Sequence, residues 1–209
     1  MPDERPPGAA RLALVVDGDT PVGRLVCRRL AAAGTTLAVT GRSARRCALL
    51  CRHLHDRYGN RALPYLVLPD APASLRRVLT EVTGELGGIN AVVDLAYAPG
   101  RPHPLGAALR ALPADHCRRI VLVAPPCAVT TGPQDEPLPA DTNVVTPGPG
   151  ASARRVAAAV LMLLGPDAAG LHGQRIEVTG CAEPAPGYGH EAEDRDGDED
   201  VCGGADDTR

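Results

Sequence analysis

The sequence predicts a doubly wound α/β domain, a single parallel sheet of about seven strands with helices on both faces. Three observations lead there. Short apolar runs recur along the chain, bounded by Gly, Pro, Asn or Asp. Between them stand segments with apolar residues at helical spacing, so that strand and helix alternate. The first run ends in a glycine turn that opens directly into a helix, VVDGDTPVGRLVCRRLAAAG over 15–34.

The elements follow in order. RLALVV (11–16) is a buried-strand run. A helix is expected over 21–33. Thr20 is a capping residue, and Pro21 suits the first helical position. Val22, Leu25, Val26 and Leu30 share one face, and Gly34 follows the end. TTLAVT (35–40) is the second strand, 43–58 a helix, and ALPYLVL (62–68) the third strand. The segment 72–86 is a helix with Leu75, Val78, Leu79, Val82 and Leu86 inward. INAVVDLAY (89–97) is the fourth strand, followed by a short helix at 105–112. RRIVLVA (118–124) is the fifth strand and TNVVT (142–146) the sixth. A long helix at 151–164 precedes the last strand, QRIEVT (174–179). The connections between strands four and six are short, so the helices there are expected to be truncated. Right-handed crossovers would leave the ligand crevice at the carboxyl ends of the strands, where the strand order reverses.

The chain of 209 residues suits one domain, expected over 11–181, with a flexible N-terminus at 1–10 and a disordered acidic tail at 182–209. The net charge of −3 hides an asymmetry. The tail holds 10 acids and 2 arginines, or −8, which leaves 20 arginines and 15 acids, or +5, in the body. That distribution allows intramolecular screening and argues against a nucleic-acid binder, which would usually show a basic stripe with aromatics. There is no Phe or Trp, and all 22 basic side chains are Arg. A lysine therefore cannot act as Schiff base, general base or ribose clamp. MPDERPPGAAR does not read as a secretory leader, and no stretch approaches the ~20 apolar residues of a membrane span. Seven cysteines without a CxxC pair point to free thiols in a reducing cytoplasm.

A glycine turn between a first strand and a helix is the context of a dinucleotide fingerprint. In TGRS (40–43), Arg42 stands at the end of the second strand, where an NAD enzyme places an acid for the ribose hydroxyls. A guanidinium there can fork onto a 2′-phosphate, which favours NADP over NAD. GGINAVVDLAYAPG (87–100), RRIVLVAPP (118–126), NVVTPGPG (143–150) and GQRIEVTG (173–180) follow in register. Together these segments resemble the short-chain dehydrogenase/reductase family over about residues 11–181. The resemblance implies a Rossmann-like domain that descends from an oxidoreductase of small carbonyls or alcohols and binds NADP(H). It also implies that Gly18, Asp19, Thr20, Gly23, Arg42, Ser43 and Ala96 line the cofactor, with Pro147 and Gly148 flanking the nicotinamide.

The departures from that family are chemical. Its TGxxxGxG turn is here DGDTPVG, one residue shorter. Gly18 and Gly23 match the first and last glycines, and the middle one is missing. Pro21 removes an N–H from the helix terminus that should cradle the pyrophosphate. Asp17 and Asp19 add negative charge. A carboxylate ~5 Å from a phosphate costs roughly 3 kcal/mol at an effective dielectric near 20, over a hundredfold in affinity. Arg24, in the first helical turn, is the expected compensating charge. The family's active Ser follows the fifth strand, where this chain has APPC (124–127). Its Tyr-xxx-Lys pair would lie in PPCAVTTGPQDEPLPAD, which has no Tyr, and the whole chain has no Lys. No catalytic residue is therefore assigned, and the usual activity is expected to be absent. The alternative reading is a non-catalytic nucleotide-binding or scaffolding subunit that pairs with an intact relative.

Other candidates have plainer explanations. Cys47, Cys51 and His55 recur at four-residue steps, but a buried stripe of Cys47, Leu50, Cys51 and Leu54 explains the spacing better than a metal face. No metal ligand is assigned. Tyr97, at the crevice end of the fourth strand, is expected to fill space at the rim rather than donate a proton. Cys127, Thr130 and Thr131 lack a nearby base, and His103 and His116 are expected in loops.

Overall fold

The structure, a computed structural model, describes residues 12–67, 72–97, 105, 108, 119–125 and 142–180. The expectations for both termini lie outside those residues, as do those for Cys127, Thr130, Thr131, His103 and His116. So does most of the chain between strands four and six.

Among the described residues, β1 (Leu12–Val16), β2 (Thr36–Gly41), β3 (Ala62–Leu66) and β4 (Ala91–Asp94) precede β5 (Arg119–Val123), β6 (Thr142–Pro147) and β7 (Arg175–Val178). They form a single 7-stranded sheet in the order β3-β2-β1-β4-β5-β6-β7, and every pair is parallel. The helices are α1 (Pro21–Ala32), α2 (Ala44–Tyr58), α3 (Pro72–Leu86) and α4 (Ala153–Leu164), with a 3₁₀ turn at Pro166–Ala168. Strand order reverses between β1 and β4, so the crevice expected of such a sheet lies at their carboxyl ends.

The pleat explains why β1 is apolar at every position. Ala13 and Val15 face α1, α2 and α4, whereas Leu12, Leu14 and Val16 face α3. The same division runs across β4, where Ala91 and Val93 point one way and Val92 the other. On the second face, Leu105 and Ala108 are helical and buried, within the short helix expected at 105–112. Helix α2 ends as its sequence dictates. Gly59 adopts the left-handed conformation (φ 68°) and donates its N–H to the His55 carbonyl at 2.8 Å.

Several element ends differ from the expectation by one to three residues, and two of them have a visible physical reason. The fourth strand stops at Asp94 rather than 97, because Asp94 Oδ1 accepts the Ala96 N–H at 2.8 Å and turns the chain out of the ladder. The last long helix starts at Ala153 rather than 151, because Ser152 is its cap and accepts the Arg155 N–H. None of the described helices is long and apolar enough to cross a membrane.

Candidate functional site

The turn between β1 and α1 reverses sharply at Asp17, whose φ of 55° is left-handed, a conformation that Asp tolerates better than most residues. The Asp17 carbonyl then accepts both the Thr20 N–H (3.2 Å) and the Thr20 hydroxyl (2.9 Å). Thr20 caps α1, since its Oγ1 accepts the Gly23 N–H at 3.1 Å and its carbonyl the Arg24 N–H at 2.8 Å. Gly18 donates to the Thr40 carbonyl at 2.8 Å, which ties the turn to β2. The two matched glycines are required by contact. A Cβ on Gly23 would stand 2.6 Å from Gly18 Cα and 2.8 Å from the Asp17 carbonyl oxygen.

This geometry leaves few donors for an anion. Pro21 has no N–H, and the amides of Gly18, Thr20, Gly23 and Arg24 are already bonded. Within the turn, Asp19 and Val22 keep amides without a hydrogen-bond partner among the described residues. The helix terminus caps itself rather than presenting a full anion cradle.

The carboxylates are arranged with the next corner, between β2 and α2. Arg42 Nε lies 3.6 Å from Asp17 Oδ2, and Arg46 Nε lies 3.4 Å from Asp19 Oδ2. The Asp19 side chain is 7% exposed and lies directly over Gly41, so its carboxylate turns toward α2 rather than into open crevice. The sequence suggested Arg24 as the compensating cation. The observed partners are instead Arg42 and Arg46, because the turn after β2 stands beside the turn after β1 in a parallel pair. Burial raises the Asp17 carboxyl above its ordinary value; Arg42 opposes that rise, and the nearby Asp94 and Asp19 carboxylates add to it.

The remaining expected positions surround the same edge. Ser43 Oγ accepts the Arg46 N–H at 3.3 Å, so its hydroxyl caps α2. Ala96 is exposed just beyond β4, with its N–H held by Asp94. Pro147 ends β6, and Gly148 donates to the Val178 carbonyl of β7 at 2.8 Å. Those two residues are three strand spacings from β1, roughly 14 Å away. Arg46 and Asp17 join the expected lining residues at this edge. Arg42 precedes the Ser43 cap and Arg46 lies in the first turn of α2, so helical spacing does not relate them and only the fold brings both to one edge.

Tyr97 is 5% exposed and packs in the apolar cluster on the α3 side. Burial raises its hydroxyl pKa, with Arg175 opposing. It is buried in that cluster rather than standing at the rim, and is poorly placed to ionise. Cys47 and Cys51 are buried beside Leu50 and Leu54, while His55 is exposed with Nδ1 3.2 Å from the Asn60 carbonyl. Burial pushes the Cys47 thiol up to about 11 and Cys51 to about 12, so both are protonated and unreactive at neutral pH.

No protein-family model matches the sequence, and no curated protein does. Solved structures do match. A dehydrogenase/reductase from Sinorhizobium meliloti 1021 superposes with a TM-score of 0.65 at 16% identity, covering 84% of this chain and 96% of that one. L-sorbose reductase from Gluconobacter frateurii, solved with NADPH and L-sorbose, gives a TM-score of 0.63 at 14% identity over 82% of this chain and 96% of that one. Hydroxysteroid dehydrogenase from Escherichia coli gives 0.63 at 15% identity over 81% and 95%. At these identities the likeness is one of fold: the chain has the short-chain dehydrogenase/reductase fold.

Proposed function

We propose that this chain is a nucleotide-binding protein built on the short-chain dehydrogenase/reductase fold, with NADP(H) as the ligand of its crevice and without the family's Tyr–Lys proton transfer. One observation carries the ligand assignment. Arg42 stands at the end of β2, beside the point where strand order reverses, and its side chain is 71% exposed. Its pair with Asp17 is partly solvated and contributes at most about 1 kcal/mol, so a 2′-phosphate that accepts a bidentate fork competes well for it. The NADPH complex of the sorbose reductase neighbour supports the same choice.

The residues fit the adenosine side of NADP(H) and do not fit its pyrophosphate. Pro21 and the self-capped turn supply few donors, and Asp17 loses its partner once Arg42 moves to a phosphate. No chemical step is therefore derived through the cofactor. Reduction of a carbonyl also needs a positioned proton donor, and a chain without lysine cannot use the family's Tyr–Lys pair. Free buried thiols at Cys27, Cys47 and Cys51 suit a reducing cytoplasm.

Fluorescence titration with NADPH tests the ligand. Enhancement is expected at high micromolar protein, and Arg42→Ala should weaken NADPH much more than NADH. Silence in the titration, or equal loss for both dinucleotides, would sink the assignment. A steady-state panel of ketones with NADPH is expected to show no turnover above background.

A further inference from the structure

The two helical layers differ sharply in charge. The helices of one face, PVGRLVCRRLAA, ARRCALLCRHLHDRY and ARRVAAAVLMLL, carry nine arginines against one acid, Asp56, a net +8 without the histidines. On the other face, the helix whose course is described, PASLRRVLTEVTGEL, carries two arginines and two glutamates and is neutral. Between α1 and α4 the basic layer opens into a hollow of about 730 Å³. Leu25, Leu161 and Met162 supply apolar walls, Arg29 and Arg154 stand at the rim, and Asp167 is the one acid there. Met162 is 54% exposed. No residue of the β1–α1 turn lines the hollow.

We infer that this face is the docking surface of the chain's own acidic segment, residues 183–207, held by charge. Three arguments select that occupant. The first is complementarity, since residues 182–209 sum to −8 against the +8 of the layer. The second is position. Arg155 Nη1 donates to the Thr179 carbonyl at 3.2 Å, so the chain leaves β7 beside the first turn of α4. A coil of the length that follows has an r.m.s. reach of roughly 30 Å, enough to cover α4, and tethering keeps the local concentration near millimolar. The third is exclusion. The same face of a second copy would set +8 against +8 and be repelled. A single-stranded nucleic acid would find arginines with almost no aromatic side chains to stack on, as the chain has no Phe or Trp.

The chain contains two methionines, so the Met162 methyl group is a native probe of the hollow. The full-length protein is compared with a full-length variant neutralised in the segment, Glu191→Gln, Glu193→Gln, Asp194→Asn, Asp196→Asn, Asp198→Asn, Glu199→Gln and Asp200→Asn. In ¹³C-methyl-methionine spectra, the wild-type Met162 signal should move toward the variant's position as salt is raised to about 1 M, where screening falls to about 3 Å. Arg29→Glu with Arg154→Glu should abolish that response. A fluorescein-labelled oligothymidylate should bind the neutralised variant at least tenfold more tightly than wild type. A Met162 signal insensitive to both salt and segment charge overturns the proposal. So does a response that tracks protein concentration, which marks a contact between copies. Equal oligonucleotide binding by wild type and variant also overturns it, because the segment then leaves the face uncovered.

Discussion

The floor and the mouth of the β1–α1 turn are built from adjacent residues and obey different constraints. On the floor, Gly18 and Gly23 meet backbone to backbone, with Val39 and Cys27 packed close to Gly18. Any side chain at Gly23 collides, so the close approach of turn and helix requires glycine there. At the mouth, Asp17 and Asp19 stand on the loop that, in the fold's dinucleotide-binding relatives, faces phosphate, and Arg42 and Arg46 offset them from the next corner. Sterics hold the scaffold because a close-packed contact has no alternative. The two carboxylates are largely covered, but their arginine partners are exposed and can be rebalanced, so ligand chemistry can change while the fold stays.

The sharpest test of the floor is Gly23→Ala. The new methyl meets backbone rather than a flexible side chain, at 2.6 and 2.8 Å. A loss of about 3 kcal/mol is expected in denaturant unfolding, and a loss below about 1 kcal/mol would erase the contrast. At the mouth, Asp17→Asn with Asp19→Asn keeps shape and removes charge. NADPH should bind at least tenfold more tightly, a gain of about 1.4 kcal/mol, by fluorescence titration. Unchanged or weaker binding would mean that the missing amide donors, not the carboxylates, limit affinity.

Thr20 belongs to both regions, because its hydroxyl caps α1 and closes the loop. Thr20→Ala should cost about 1 kcal/mol in the same unfolding measurement. The smallest effect concerns pH. Asp17 has a raised carboxyl pKa, so the folded state holds its proton more tightly than the unfolded chain does. Its contribution to stability is therefore greatest below the ordinary carboxylate range and declines as pH rises through the raised value. Asp17→Asn should raise the melting temperature by a degree or two at pH 7 and leave it unchanged near pH 3. A variant that melts lower at pH 7 would show that the Arg42 pair outweighs burial.

The amino-acid sequence alone determined the alternation of seven strands and their helices, the capping role of Thr20, and the glycine closure of the first turn. Those features rest on periodicity and on neighbours within a few residues, which a linear reading contains. Tertiary structure alone decided that Asp19 lies over Gly41 against Arg46, that Asp17 faces Arg42, that Tyr97 is buried, and that nine arginines gather on the helices of one layer. Each depends on which strand lies beside which and on the face to which a crossover delivers its helix. Charges more than twenty residues apart in sequence become partners only after the sheet has assembled.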